Sequence, residues 1–212
     1  MHIPDGFLDA KTWLGAAALS GAAVGYGLKK TGEALQDRQI PVLGVLGAFI
    51  FAAQMVNFPV GGGTSGHLLG AALATALLGP WSATLILTTV LIIQAIFFAD
   101  GGITALGANV LNMAVIAPMA AHCVYRLLGG VRPLSVFLGS WCSVIAAAAA
   151  TALELALAGA VPLPAVLTAM VGWHLLIGIG EGLVTCAVVA FVSRSGLLPS
   201  ASPYENGEGK IA

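Results

Sequence analysis

The sequence predicts an all-α integral membrane protein, a bundle of seven transmembrane helices with an extracellular N-terminal segment folded into the bundle. Three observations carry this expectation. Of the 212 residues, 58% are hydrophobic and only 8% are charged, against roughly 25% charged in a soluble domain, and the mean hydropathy is +0.98. The apolar residues fall in runs punctuated by Gly, Pro and charge, and at about 20 residues per crossing the chain has room for roughly six or seven spans. The basic residues also gather on one side when the runs are threaded alternately through a bilayer. Nine acidic and eight basic residues leave a net charge of −1, and aromatic residues make up 7%. Neither a basic field nor stacking platforms exist for a nucleic acid.

The first run covers 13–28, with Trp13 as an interfacial aromatic, and stops at Lys29 and Lys30. A polar connection leads to a second run over 40–56. The stretch 57–66 then contains Pro59 and the glycines Gly61, Gly62, Gly63 and Gly66, where helix is disfavoured by backbone entropy. His67 opens a third run that ends by Leu78, too short to cross hydrocarbon unaided. The expectation here is a loop dipping into the protein and a short helix starting at His67. A fourth span is predicted over 81–98, closed by the Asp100-Gly101 turn signal. Spans five, six and seven follow over 104–127, 134–157 and 165–192, divided by Gly129, Gly130 and Pro133 and by Gly159, Pro162 and Pro164. The tail from Ser193 is polar and expected to fray.

With the N-terminus outside, Lys29, Lys30, Arg38, Arg126, Arg132, Arg194 and Lys210 lie inside and only Lys11 lies outside, the distribution the positive-inside rule requires. Omitting the short third helix as a crossing would move Arg126 and Arg132 outside. No basic n-region precedes the first apolar run, so residue 1 is expected to be kept. The chain divides into one transmembrane domain, 1–193, whose first twelve residues form a separate N-terminal segment, and a cytoplasmic tail, 194–212. Gly21 and Gly25, and Gly178, Gly180 and Gly182, suit close helix packing within the bundle or the docking of another membrane subunit. Cys123, Cys142 and Cys186 stand alone and read as small buried apolar groups.

The chain starts Met1-His2, and a histidine at position two can chelate through its own backbone. The free amine of Met1, the deprotonated amide nitrogen of His2 and His2 Nδ1 close fused five- and six-membered rings around one cation. A plane of nitrogens suits nickel(II) or copper(II), and cobalt(II) when low-spin, whereas zinc prefers a tetrahedron and calcium and magnesium prefer oxygen. His67, beside the glycine-rich loop, is available as a fourth ligand. Alternative readings are an ordinary polar His2 on a loose terminus and a structural His67. His122, near the inner end of span five, is expected to face headgroups. His174 shares a face with Glu181, seven residues on, as a structural pair or a relay, and Glu154 reads as an outer-rim partner.

The segments MHIPDGFL, GGGTSGHLLG and QAIFFADGGITALGANVLNM resemble the nickel- and cobalt-specific substrate-capture subunits of energy-coupling factor transporters, the NikM/CbiM family. The resemblance runs through span seven. It implies seven spans, an extracellular N-terminus in a bacterial or archaeal cell membrane, and a metal site at Met1, His2 and His67. It marks Gln94, Asp100, Gly101, Gly102, Asn109 and Asn112 as motif residues, of which Gln94, Asp100, Asn109 and Asn112 suit an outer shell that orients ligands; Asn109 and Asn112 suit interhelical bonding equally. The transported substrate implied is nickel(II) or cobalt(II), with no bound cofactor, and the octad at the N-terminus looks more like the nickel branch; the alternative is cobalt uptake supplying cobalamin biosynthesis.

No G-x-x-x-x-G-K-[ST] motif occurs, so the chain lacks that route to ATP hydrolysis. The resemblance implies that energy comes through partners, a transmembrane coupling subunit and two cytoplasmic ATPase subunits, with a small additional membrane subunit as a further candidate partner. Two other classes compete. An intramembrane enzyme is disfavoured by the absence of H-E-x-x-H and G-x-S-x-G patterns, and a self-sufficient secondary carrier would move metal without ATPases.

Overall fold

The computed structural model describes residues 1–35, 37–60 and 64–195. Helix α1, Ala10–Ala34, begins where Asp9 accepts a hydrogen bond from Thr12 N at 3.2 Å, which satisfies one of the orphan donors of the first turn. It runs through Lys29 and Lys30 rather than stopping before them. Lysine is a good helix former whose long stem can carry its charge away from an apolar surface, so a charge marks where lipid ends and not where the helix ends. A 3-10 turn, Asp37–Gln39, leads into α2, Ile40–Gln54, with Pro41 in its first turn, where a missing N–H costs nothing.

The glycine-rich stretch is an antiparallel pair, β1 Asn57–Val60 and β2 Thr64–His67, with Asn57 opposite His67. His67 therefore ends a strand. The short helix α3, Ala71–Leu78, starts only after Gly70, whose φ of +77° no Cβ-bearing residue would adopt cheaply. The expected helix start at His67 is corrected by this turn. Gly61, Gly62 and Gly63 lie outside the described residues.

Helix α4 covers Pro80–Phe97, α5 Leu106–Leu127, α6 Pro133–Leu157 and α7 Leu163–Ser195. Among the described residues these four are long and apolar enough to cross a membrane. Inside α5 the segment Val110–Ile116 is a π-helix, and Ala117 N bonds back to Asn112 O. The widened turn lies just before Pro118, which has no N–H to continue the ladder. Helix α7 extends to Ser195, two residues past the start assigned to the tail; Lys210 lies outside the described residues.

Chain reversals place residues 1–9, the β1–β2 hairpin and the starts of α5 and α7 toward one face, hereafter the N-terminal face. Asn57 Nδ2 donates to Asp100 Oδ2 at 3.2 Å, and Asn112 Nδ2 donates to Glu154 Oε2 at 2.5 Å and Thr151 Oγ1 at 3.2 Å. Glu154 is thus a buried interhelical partner and not a rim group. The helix directions carry Lys29, Lys30, Arg126, Arg132 and Arg194 toward the opposite face.

The glycine expectations divide. A Cβ at Gly178 would come 2.8 Å from Trp141, and one at Gly182 2.6 Å from Phe137, so both accept aromatic rings between α6 and α7; a Cβ at Gly21, Gly25 or Gly180 would meet nothing within 4 Å among the described residues, and all three face outward. Cys123 is exposed and Cys142 and Cys186 are partly buried, against the buried reading. His122 is buried and not at a headgroup surface, because the turn of α5 on which it lies faces the bundle.

Candidate metal site at the N-terminus

Residues 1–5 do not trail into solvent. Met1, His2 and Ile3 are buried, at 0%, 4% and 0% exposure, and main-chain bonds hold them like an extra strand. Ile3 N donates to Asn109 Oδ1 at 2.8 Å, Asn109 Nδ2 donates back to Ile3 O at 3.1 Å, and Gly102 N donates to the same carbonyl at 2.9 Å. Asn109 thereby completes both polar groups of one buried residue, which explains an amide at that position. One residue pair on, Asp5 accepts from Ile103 N at 3.1 Å, Thr104 N at 2.8 Å and Thr104 Oγ1. The Thr104 hydroxyl and amide hold the Asp5 carboxyl below its ordinary range.

The loop 98–105 is shaped to receive this segment. Ala99 has a φ of +52°, an uncommon conformation for a residue with a side chain. Gly101, at φ +94°, lies where a Cβ would stand 3.1 Å from Asn109 Nδ2 and 3.3 Å from His2 Cδ2. At Gly102 a Cβ would press on the Asp5 amide and stand 2.5 Å from Asp5 Oδ1 and 2.7 Å from the Pro4 carbonyl carbon. Because the three nearest atoms all belong to the N-terminal segment, Gly102→Ala is expected to undock residues 1–5 while leaving the helix bundle intact. The measurement is labelling of the Met1 amine by an acylating reagent. We expect faster labelling at an unchanged melting temperature, and equal labelling in both proteins would contradict the docking described.

The Met1 amine donates to Ser65 O and, at 3.2 Å, lies against Ser65 Oγ, both on β2. Burial pushes the amine down to about 4, with the Asp100 charge opposing, so at neutral pH it is a neutral nitrogen with a lone pair. His2 Nε2 lies 3.2 Å from Gln94 Oε1. An amide oxygen only accepts, so Nε2 carries the hydrogen and Nδ1 the lone pair. His2 Nδ1 faces Asp100 Oδ1 at 3.3 Å. Burial, then the Met1 charge, lower His2 to about 3 despite the Gln94 bond. Burial raises the half-buried Asp100 carboxyl.

The His67 ring stacks on that of His2, centroids 4.7 Å apart and 29° between planes. Its Nδ1 lies 3.0 Å from Leu68 O, which fixes the hydrogen on Nδ1 and leaves Nε2 as an acceptor, buried and without a hydrogen-bond partner among the described residues. Burial, followed by the charges of Met1, His2 and His174, holds His67 well below its ordinary value. Its position rests on a residue the sequence left in another role. Glu181 accepts from Leu69 N at 2.5 Å and Gly70 N at 2.6 Å, so the carboxylate clamps the chain just after His67 and is not paired with His174.

Met1, His2, His67, Gln94, Asp100 and Asn109 thus come together, whereas Asn112 is drawn to Glu154 and Thr151. Among the described residues no three side chains of His, Cys, Asp or Glu cluster as metal ligands. What converges is two imidazoles with a main-chain terminus, a donor set that side-chain counting misses. The Glu181 clamp was not legible either, because its partners are main-chain N–H groups.

The family model described as "Cobalt uptake substrate-specific transmembrane region" (CbiM) matches residues 2–196. A putative fused nickel transport protein NikMN of Archaeoglobus fulgidus is 39% identical, over 100% of this chain and 71% of that protein. A putative metal transport protein of Haloquadratum walsbyi is also 39% identical, over 92% of this chain and 91% of its own. The solved structure of a truncated transition metal transporter is similar with a TM-score of 0.87 at 38% identity, covering 92% of this chain and 99% of that one.

Proposed function

Because the chain belongs to the CbiM family of cobalt uptake substrate-specific transmembrane proteins, we propose that it captures nickel(II) or cobalt(II) through main-chain and imidazole nitrogens at its N-terminus. It is the metal-selecting component of an uptake system and works without an ATPase motif of its own. The observation that carries the reading is the burial together of the Met1 amine, His2 and the unpartnered His67 Nε2.

The donors are the Met1 amine, the His2 amide nitrogen once deprotonated, His2 Nδ1 and His67 Nε2. The first three belong to one flexible dipeptide. Asn109, Gly102 and Asp5 fix that dipeptide in place, so little ordering entropy remains to be lost when a cation arrives. Gln94 and the Leu68 carbonyl set the tautomers that aim lone pairs inward, the outer-shell task of orienting ligands. Asp100, its carboxylate facing His2 Nδ1, supplies negative charge next to an incoming dication. The rest of the bundle completes the reading: seven spans within 1–193, residues 1–12 as the metal-binding segment on the extracellular side, and residues 194–212 as a cytoplasmic tail. The partners are a transmembrane coupling subunit, two cytoplasmic ATPase subunits and a small additional membrane subunit. Nickel is the favoured cargo, since a low-spin d8 ion gains from a plane of nitrogens whereas zinc does not.

One titration tests this. In the docked segment the amine and His2 are already neutral at pH 7, so binding releases the amide proton and affinity falls about tenfold per pH unit. Both groups have docked values below their free ones, from 8.0 to about 4 for Met1 and from 6.5 to about 3 for His2. Docking is therefore fully favoured above pH 8.0 and weakens as pH falls toward these docked values, which steepens the loss. The nickel-loaded protein is expected to be yellow and diamagnetic with a single d–d band, and its affinity to fall between pH 8 and pH 6 in non-chelating buffer. A flat affinity with a weak paramagnetic octahedral spectrum would assign the metal to carboxylates such as Asp5 and Asp100 instead.

A further inference from the structure

The α7 face behind the candidate site carries a nitrogen that the chelate does not use. His174 is fully buried, its Nδ1 lies 2.7 Å from the carbonyl of Met170 one turn back, and its Nε2 has no hydrogen-bond partner among the described residues. The carbonyl only accepts, so Nδ1 holds the hydrogen and Nε2 presents a lone pair. Leaving a buried imidazole nitrogen unsatisfied is destabilising, and packing alone would be served better by leucine or phenylalanine.

Its depth follows from helix geometry. The Asn112 contacts with Thr151 and Glu154 put the starts of α5 and α7 on the N-terminal face with the end of α6. Ile3 is held by Asn109, only three residues into α5, and two more extended residues take Met1 at most about 7 Å deeper. His174 is eleven residues into α7, about 16 Å from its start at 1.5 Å per residue. Two turns further on, Glu181 holds the amides of Leu69 and Gly70, so the chain leaving His67 runs inward beside α7 and past His174. Strand β2, which ends at His67, packs against α7.

Resting on the reading of Met1, His2 and His67 as the capture site, we propose that His174 Nε2 is a second metal donor, forming with His67 Nε2 a two-imidazole station that holds a first-row divalent cation as it leaves the chelate inward. On transfer the cation keeps the His67 bond and gives up the amine, the amidate and His2 Nδ1, and the amidate regains its proton from water, which leaves as hydroxide. A two-imidazole site imposes no plane, so geometry there does not exclude cobalt(II) or zinc(II). Selection at the outer site and a permissive inner one allow the cargo to leave.

The test separates the station from the chelate by removing the latter. In purified His2→Ala protein, cobalt(II) titration followed by visible absorption is expected to show residual binding about a thousandfold weaker than wild type, with the more intense bands of a tetrahedral centre. Adding His174→Asn, whose amide keeps a bond to Met170 O but removes Nε2, is expected to lower that residual affinity at least about tenfold, as is adding His67→Ala. In the wild-type background His174→Asn should leave nickel affinity within about twofold and its planar spectrum unchanged. Residual binding indifferent to His174→Asn overturns the station, and so does loss of the nickel spectrum on His174→Asn alone, which would make His174 a ligand of the resting site. Failure of the wild-type chain to bind nickel would instead refute the capture site. Equal melting temperatures of the variants exclude misfolding as the cause.

Discussion

Extending the chain by a single residue before Met1 is expected to reduce nickel affinity by more than about a thousandfold, roughly 4 kcal/mol. Two effects act in the same direction. An extension turns the Met1 amine, a neutral donor in its buried setting, into a peptide amide that must itself lose a proton before it can bind metal. It also has nowhere to go, because Met1 is at 0% exposure with its nitrogen against Ser65 O and Oγ. Acetylation of the amine should act likewise with only three added heavy atoms, which isolates the electronic effect from bulk. A tag placed after Ser195, at the far end of α7, is expected to leave affinity unchanged. Calorimetry on the three proteins decides the matter: wild-type affinity in the extended protein would mean that the amine is not a ligand.

The helices were largely legible because apolar runs and Gly-Pro breaks report directly on burial in lipid or protein. The expected span over 134–157 and the observed Pro133–Leu157 differ by one residue, since Pro133 both ends the preceding loop and suits the first helical position. Where the breaks were ambiguous, so was the reading. Glycines at 61–63 and 66 forbade helix but did not distinguish a loop from the hairpin that places His67 at a strand end. Gly21 and Gly25 have the spacing of a packing face, yet they look outward, because spacing identifies a flat stripe and not its neighbour. The π-helical turn around Asn112 depends on how the bundle accommodates Pro118, a tertiary matter.

The proposed site is read from the sequence for a different reason: a chelate made by consecutive residues would be a local property of Met1-His2, independent of fold. What supports it is non-local. Gln94 and Asn109 act on residues 92 and 106 positions away, and the family motif pointed to them without saying what they touch. Glu181 reaches back 112 positions to the Leu69 amide, and main-chain donors leave no trace in residue type. His122 shows the limit from the other side, since its burial depends on which face of α5 meets the bundle.

The same division between local chelate and non-local support ranks the two histidines. His2→Ala removes the imidazole that closes the six-membered ring and with it the driving force for deprotonating the amide, so two of four donors go together, and His2 no longer stacks on His67 or engages Gln94. Its expected cost exceeds about a thousandfold in affinity, roughly 4 kcal/mol. His67→Ala leaves the amine, the amidate and His2 Nδ1 as a closed three-nitrogen chelate with water in the fourth position. The loss there should be about a hundredfold, roughly 2.7 kcal/mol, and the nickel complex should stay planar with its band moved to longer wavelength, since water is a weaker-field ligand than imidazole. Docking contacts of Ile3 and Asp5 with α5 and its preceding loop are untouched in both variants, so neither effect is expected to come from undocking of the segment. Calorimetry with nickel on both proteins measures the ranking, and equal losses, or a larger one for His67→Ala, would mean that the loop histidine rather than the N-terminal chelate holds the metal.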